Sequence, residues 1–167
     1  MKFERAPANV SPGSQDRMGT VAKRIAVYTA IFGGKDDFLP MPASPDYDLH
    51  VFTDADLRGE EYRVVHCPPR FEDPTRNARF FKICAHEVLA QYEYTLWHDA
   101  HISYLGDDLA ERIETCLLGA DLALHAHPRR RCTYEEAEAC IASRKDCESV
   151  IRDQMRHYRE QGFPEGA

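Results

Sequence analysis

Tyr94-Thr-Leu-Trp-His-Asp-Ala-His-Ile102 is the stretch that decides the fold. Three apolar or aromatic side chains, Tyr94, Leu96 and Trp97, run straight into a polar cluster of His98, Asp99 and His101. A buried strand should not end so abruptly without a reason. In an open α/β sheet, ligands sit outside the carboxyl ends of the strands, and alternate residues of extended chain project to the same side. Asp99 and His101, two apart, therefore form a pair able to hold a divalent cation. The carboxylate suits Mg²⁺, while the imidazole tilts the choice toward Mn²⁺.

Working outward toward the amino end, Asp73-Pro74 is an N-cap followed by proline at the first helical position. The helical pattern runs on to about Ala90, with Phe80, Phe81, Cys84, Val88 and Leu89 as its buried stripe. Arg76, Arg79 and Lys82 lie three apart and share another flank, where cations could meet a diphosphate or sugar hydroxyls. Arg24-Ile-Ala-Val-Tyr-Thr-Ala-Ile-Phe32 is a near-continuous apolar run, as expected of a strand buried on both faces. It gives way to Gly33-Gly34-Lys35-Asp36-Asp37, a polar loop where an α/β protein usually stations a nucleotide. A loop with three prolines follows, and then two more strands, Asp48–Asp54 and Glu61–Cys67, both ending in polar or turn residues. Residues 1–22, rich in small and polar residues, read as a mobile leader, and residues 23–167 as one domain.

Toward the carboxyl end, Asp107 or Asp108 caps a helix whose stripe is Leu109, Ile113, Cys116 and Leu117. Asp121-Leu-Ala-Leu-His-Ala-His127 then reads as another strand passing from apolar residues to imidazoles. A helical tract from about Thr133 to Gln161 breaks near Lys145-Asp146 and stops at Gly162-Phe-Pro164. Strands alternating with amphipathic helices predict a mainly parallel sheet. On that reading the carboxylate and imidazoles of two strands, Asp99 and His101 with His125 and His127, would gather at one edge. A lone imidazole near a strand end is more often a hydrogen-bonded or surface residue, so His98, His125 and His127 weigh less than the pair.

Composition narrows the classes. The chain has 167 residues and a formal charge of -7, which argues against a broad basic surface for nucleic acid. It contains no run of about 18 apolar residues, so no membrane span is expected. Six cysteines without a Cys-x-x-Cys spacing read as small buried thiols in a reducing cytoplasm.

Taken together, these residues resemble a glycosyltransferase-like family, long known as a domain of unknown function, found in bacterial polysaccharide clusters and plant mucilage-related proteins. The matching pieces are Val27–Gly33 with Asp36-Asp37, Phe52-Thr-Asp54, Arg79-Phe-Phe-Lys82, Tyr94–Ile102, His127-Pro128, Arg130, Tyr134–Ala137, Gln154, Tyr158 and Gly162-Phe-Pro164. The resemblance implies a GT-A-like, Rossmann-type α/β fold, a nucleotide-diphosphate-sugar donor, a glycan or other acceptor, and Mn²⁺ or Mg²⁺. Asp99-Ala100-His101 then stands as a variant of the Asp-x-Asp signature of nucleotide-sugar transferases. Thr29, Asp36 and Asp54 are expected to line the nucleotide pocket, Arg79 and Lys82 to meet the diphosphate or donor sugar, and Asp99 and His101 to hold the metal. Glu135 or Glu136 is expected to serve as acceptor-side base.

The chain departs from the family in two places. Members usually carry Asp-Gly-Asn or a similar triplet at 99–101, which leaves the second metal ligand open. They also usually continue past the Gly-Phe-Pro segment with acceptor-side residues, whereas this sequence ends at Ala167. The alternatives are a metal-dependent phosphoester hydrolase using the same His and Asp residues, or a non-catalytic nucleotide-sugar-binding fragment.

Overall fold

Every position of strand β1 (Ile25–Ile31) is buried, which is why its sequence is apolar without alternation. On one side it pairs with β2 (Tyr47–Thr53), from Ile25 with Tyr47 through Ile31 with Thr53. On the other it pairs with β4 (Tyr94–Trp97), from Ile25 with Tyr94 through Tyr28 with Trp97. β3 (Arg63–His66) lies outside β2. All pairings are parallel and the order is β3-β2-β1-β4, so the expected α/β class with a parallel, Rossmann-like sheet is present. This computed structural model describes residues 24–165; the leader read at 1–22 lies outside them. The chain divides at Leu118/Gly119 into two compact units.

In the first unit the sheet faces are covered by different segments. Ala26, Tyr28, Ala30, Phe32 and Phe52 pack with Phe81, Ala85 and Leu89 on one face. Ile25, Val27 and Leu49 pack with Met41, Leu109 and Ile113 on the other, where α3 (Leu109–Cys116) lies. The helix expected over 73–90 is broken. α1 (Pro74–Ile83) and the single turn α2 (Ala85–Val88) are separated at Cys84, whose φ of -104° and ψ of 31° leave the helical region. The start is as read: the Asp73 carboxylate accepts from the Thr75 N–H at 2.9 Å, and Pro74 takes the first helical position. Asp108 does occupy the N-cap position of α3, but its carboxylate bonds Tyr104 and Arg112 rather than the helix end.

The second unit is a helical pair, α4 (Thr133–Ala142) and α5 (Glu148–Glu160), packed through Tyr134, Ala137, Ile151 and Met155. Its break falls where Lys145-Asp146 predicts it. The strand expected at 121–127 is absent: those residues carry no regular structure, and Leu122 and Leu124 are 71% and 82% exposed. Apolar composition alone does not make a strand. A strand needs a partner for its backbone N–H and C=O groups, and the sheet of the described residues ends at β4. No helix among the described residues is long and apolar enough to cross a membrane, and all six cysteines are free thiols.

Two buried polar groups in the sheet give stability predictions. His50 donates from Nε2 to the Tyr92 hydroxyl at 2.9 Å, and that hydroxyl donates to Asp48 at 2.6 Å. Burial, reinforced by the Arg63 charge, pushes the His50 imidazole from 6.5 down to about 4. The unfolded ring takes up its proton near 6.5 and the folded ring only near 4. Stability from this group is therefore complete above pH 6.5 and is lost as pH falls toward 4, by roughly 3 kcal/mol. His50→Gln, which keeps a donor for Tyr92 but cannot titrate, should flatten that acid limb in denaturant titrations across the window. Thr29, fully buried in β1, has a hydroxyl without a hydrogen-bond partner among the described residues. Replacing an orphaned polar group by an apolar one of the same shape removes a desolvation penalty of about 1 kcal/mol or more. Thr29→Val should accordingly raise the unfolding midpoint; a lowered midpoint would mean that the hydroxyl is bonded in solution.

Candidate functional site

The strand order places the site. β1, β2 and β3 succeed one another in one direction, and β4 then returns to the opposite side of β1. The order reverses at β1, and the carboxyl ends of the strands at such a reversal are the usual ligand position in an open α/β sheet. The residues singled out from sequence in the first unit can be located relative to this edge.

Asp99 follows β4. Its Oδ1 accepts from the Trp97 indole N–H at 2.8 Å and from Lys82 Nζ at 3.3 Å. Trp97 is itself fixed edge-on to Tyr28, with centroids 5.4 Å apart, while Lys82 Nζ lies 5.2 Å from the Trp97 ring centroid. The Tyr28 hydroxyl donates to the backbone carbonyl of Lys82 at 3.3 Å, tying the last turn of α1 to β1. Burial pushes the Asp99 carboxyl up, but the Trp97 bond and the Lys82 charge outweigh it and hold the group below the usual carboxylate range. Between Asp99 and His101, Ala100 is buried against Ile31 and Val51. Asp99 is half-buried and His101 exposed, and the His101 imidazole is close enough to contribute to the depression of the Asp99 carboxyl.

The loop after β1 is held from two sides. Asp54, just past β2, accepts the Gly33 N–H on both carboxylate oxygens, at 3.0 and 3.2 Å. Gly33 has a φ of +64°, and a Cβ there would lie 2.7 Å from Pro74 Cγ, so glycine is required on both counts. Lys35 Nζ reaches Thr75 Oγ1 at 2.9 Å, binding the loop to the start of α1. Asp36 is exposed on this loop and Arg79 is exposed on α1. Thr29 differs from the rest: it is interior to β1 and presents no accessible surface.

Glu135 and Glu136, the carboxylates expected on the acceptor side, each have a partner within the second unit. Glu135 Oε2 accepts from the Arg131 N–H at 2.9 Å, reaching back past the N-cap Cys132 to the residue before it. Glu136 is ion-paired with Arg130. Burial raises the Glu136 carboxyl, but hydrogen bonds from Arg130 and Cys140 more than offset it and leave the group below its ordinary range. His127 Nδ1 accepts the N–H groups of Arg129 and Arg130 at 3.1 and 3.0 Å. With no strand at 121–127, His125 and His127 are not strand-end residues.

Sequence reasoning overlooked Lys35 and Asn77. The Asn77 side chain, buried in α1, accepts from the N–H groups of Arg70 and Phe71 and donates to the carbonyls of Phe71 and Asp73, so it shapes the loop after β3. An Asn inside an amphipathic helix was the one available signal. Among the described residues no group of three or more His, Cys, Asp or Glu side chains is arranged to hold a metal ion. Asp99 and His101 by themselves would leave most of a cation's coordination to other ligands, such as substrate phosphates.

No curated protein and no solved structure matches this sequence. The family model described as TOD1/MUCI70, glycosyltransferase-like domain, matches residues 50–165, which take in the second half of β2, then β3, β4 and the five helices of the described residues. With well over half of its length matched, and with a parallel α/β sheet past whose strand ends Asp54 and Asp99 stand, the chain belongs to the TOD1/MUCI70 glycosyltransferase-like domain family.

Proposed function

We propose that this chain binds a nucleotide-diphosphate sugar at the carboxyl edge of β1 and β4 and takes part in transfer of the sugar to a glycan or other acceptor, on a GT-A-type scaffold. The observation that carries the reading is Asp99, ionised at a strand end and fixed there by the Trp97 indole and the Lys82 ammonium. Departure of a nucleoside diphosphate develops negative charge, and groups already oriented toward that charge stabilise it most. Lys82 and Arg79, three apart on α1, supply cations beside the edge. Gly33 and Asp54 give the nucleotide a loop of defined shape, and Asp36 stands exposed on the same loop. Asp99 and His101 would hold Mn²⁺ or Mg²⁺ against the diphosphate, where the cation acts as a Lewis acid toward the leaving oxygens. We place the protein in a reducing cytoplasm on the strength of its free thiols.

A second reading, donor binding without turnover, draws on a specific observation as well. Glu135 serves the end of α4 and Glu136 serves Arg130, so either must leave a partner before it can act as a base.

Calorimetric titration with UDP and GDP, each with and without Mn²⁺, tests the proposal. One nucleotide should bind with metal-dependent affinity, and Mn²⁺ alone should give no saturable binding. Asp99→Ala should weaken metal-dependent binding by about tenfold to a hundredfold, the scale of one charge-assisted contact, with the circular dichroism spectrum unchanged. Unaltered affinity in that variant would remove Asp99 from the site. Release of phosphate from simple esters would favour hydrolysis instead. Transfer activity that withstands both Glu135→Gln and Glu136→Gln would exclude those two residues as the base.

A further inference from the structure

His98 was weighed from sequence only as a weak ligand candidate, and its surroundings give it a different task. It is the first residue beyond β4, and its N–H continues the ladder by donating to the Tyr28 carbonyl at 3.1 Å. Only 8% of the residue is exposed. Nδ1 lies 3.0 Å from the Ile102 carbonyl oxygen and 3.2 Å from that of Asp99. A carbonyl can only accept, so Nδ1 carries the proton and Nε2 has the lone pair in the neutral ring.

The same two residues close a turn, since the Ile102 N–H donates to the Asp99 carbonyl at 2.9 Å. That turn contains both Asp99 and His101. It is anchored elsewhere by the Leu39 N–H to the Ala100 carbonyl at 2.7 Å and by the Ser103 hydroxyl to the Pro40 carbonyl at 2.7 Å. These two bonds tie the turn to the loop after β1. The His98 ring instead spans the turn from within, gripping its first and last carbonyls.

We infer that His98 is a positioning residue: its Nδ1–H clamps the Asp99–Ile102 turn and so fixes the spacing of the Asp99 and His101 side chains toward a diphosphate-bound cation. The inference rests on the reading of those two residues as the cation-binding pair. A structural core histidine would support nucleotide binding with and without metal alike. A clamp on the pair acts on the metal-dependent part alone.

Two substitutions separate these roles. The amide nitrogen of Asn stands close to where Nδ1 stands, whereas that of Gln reaches toward the position of Nε2. His98→Asn should therefore keep most of the gain in UDP affinity that Mn²⁺ confers. His98→Gln should lose that gain by about tenfold, the scale of one buried hydrogen bond, while its metal-free affinity stays at the wild-type value. Equal losses with and without Mn²⁺, or equal behaviour of the two variants, would overturn the clamp. Exchange of the Ile102 amide proton, followed by NMR in the unliganded protein, keeps the test independent of the metal. Faster exchange in His98→Gln but not in His98→Asn supports the clamp, and identical exchange overturns it. If the wild-type protein gains nothing from Mn²⁺, the cation-pair reading falls, and the exchange comparison alone decides whether His98 holds the turn.

Discussion

The constraint on which the site depends is the reversal of strand order at β1. A chain that lays β2 and β3 on one side of β1 and β4 on the other sets the carboxyl ends of β1 and β4 side by side, and the segments that leave them are joined by the Leu39–Ala100 and Ser103–Pro40 bonds. Polar groups collected at this edge remain in reach of solvent and ligand, although β1 itself is buried throughout. The same reversal explains why the carboxyl-end residues of β2 and β4 differ in task. Asp54 is spent on the Gly33 N–H and shapes a loop. The Asp99 carboxylate is held by the Trp97 and Lys82 side chains, so both bonds can rearrange without breaking the backbone.

This difference bears on charge balance. Without a divalent cation, Asp99 needs compensation, and the Lys82 ammonium supplies part of it across an exposed 3.3 Å pair. A pair with both partners about half-exposed is worth little as a structural tie, so stability alone is a poor reason for it. A more economical account is exchange of partners. On the proposed reading, a cation bound with a diphosphate would take over the carboxylate and leave the ammonium for phosphate oxygens. Trp97 would still hold Asp99 through its uncharged indole donor.

Much of this was legible in sequence where one local rule faced no competitor. The unalternating run of β1, the Asp73-Pro74 start of α1 and the break at Lys145-Asp146 each follow from backbone chemistry that tertiary context did not contest. The strand at 121–127 failed because apolar composition reports burial potential, while strand formation requires a partner edge. Glu135 and Glu136 were legible as carboxylates at a helix start, but a first-turn glutamate serves the exposed N–H groups there before it serves anything else. Thr29 was read by its strand rather than by its depth within it, and depth is what a single sequence discloses least. Asn77, and the bonds made by the ring of His98, escaped for a shared reason: both lie in contacts to backbone groups, which leave little pattern in neighbouring residue types.

The triplet at 99–101 shows how these levels meet. Its middle residue is buried, so it must be small and apolar: Ala100 fills the space beside Ile31 and Val51. A larger side chain would lift the turn from the sheet. It would also strain the Leu39–Ala100 and Ser103–Pro40 bonds that join this turn to the loop after β1. Through that joint, the loop bearing Gly33 to Asp37 and the turn bearing Asp99 and His101 are parts of one framework. A displacement of either reaches the other over a few hydrogen bonds, and the spacing between the Gly33–Asp37 loop and the Asp99–Ile102 turn is set largely by contacts to the backbone.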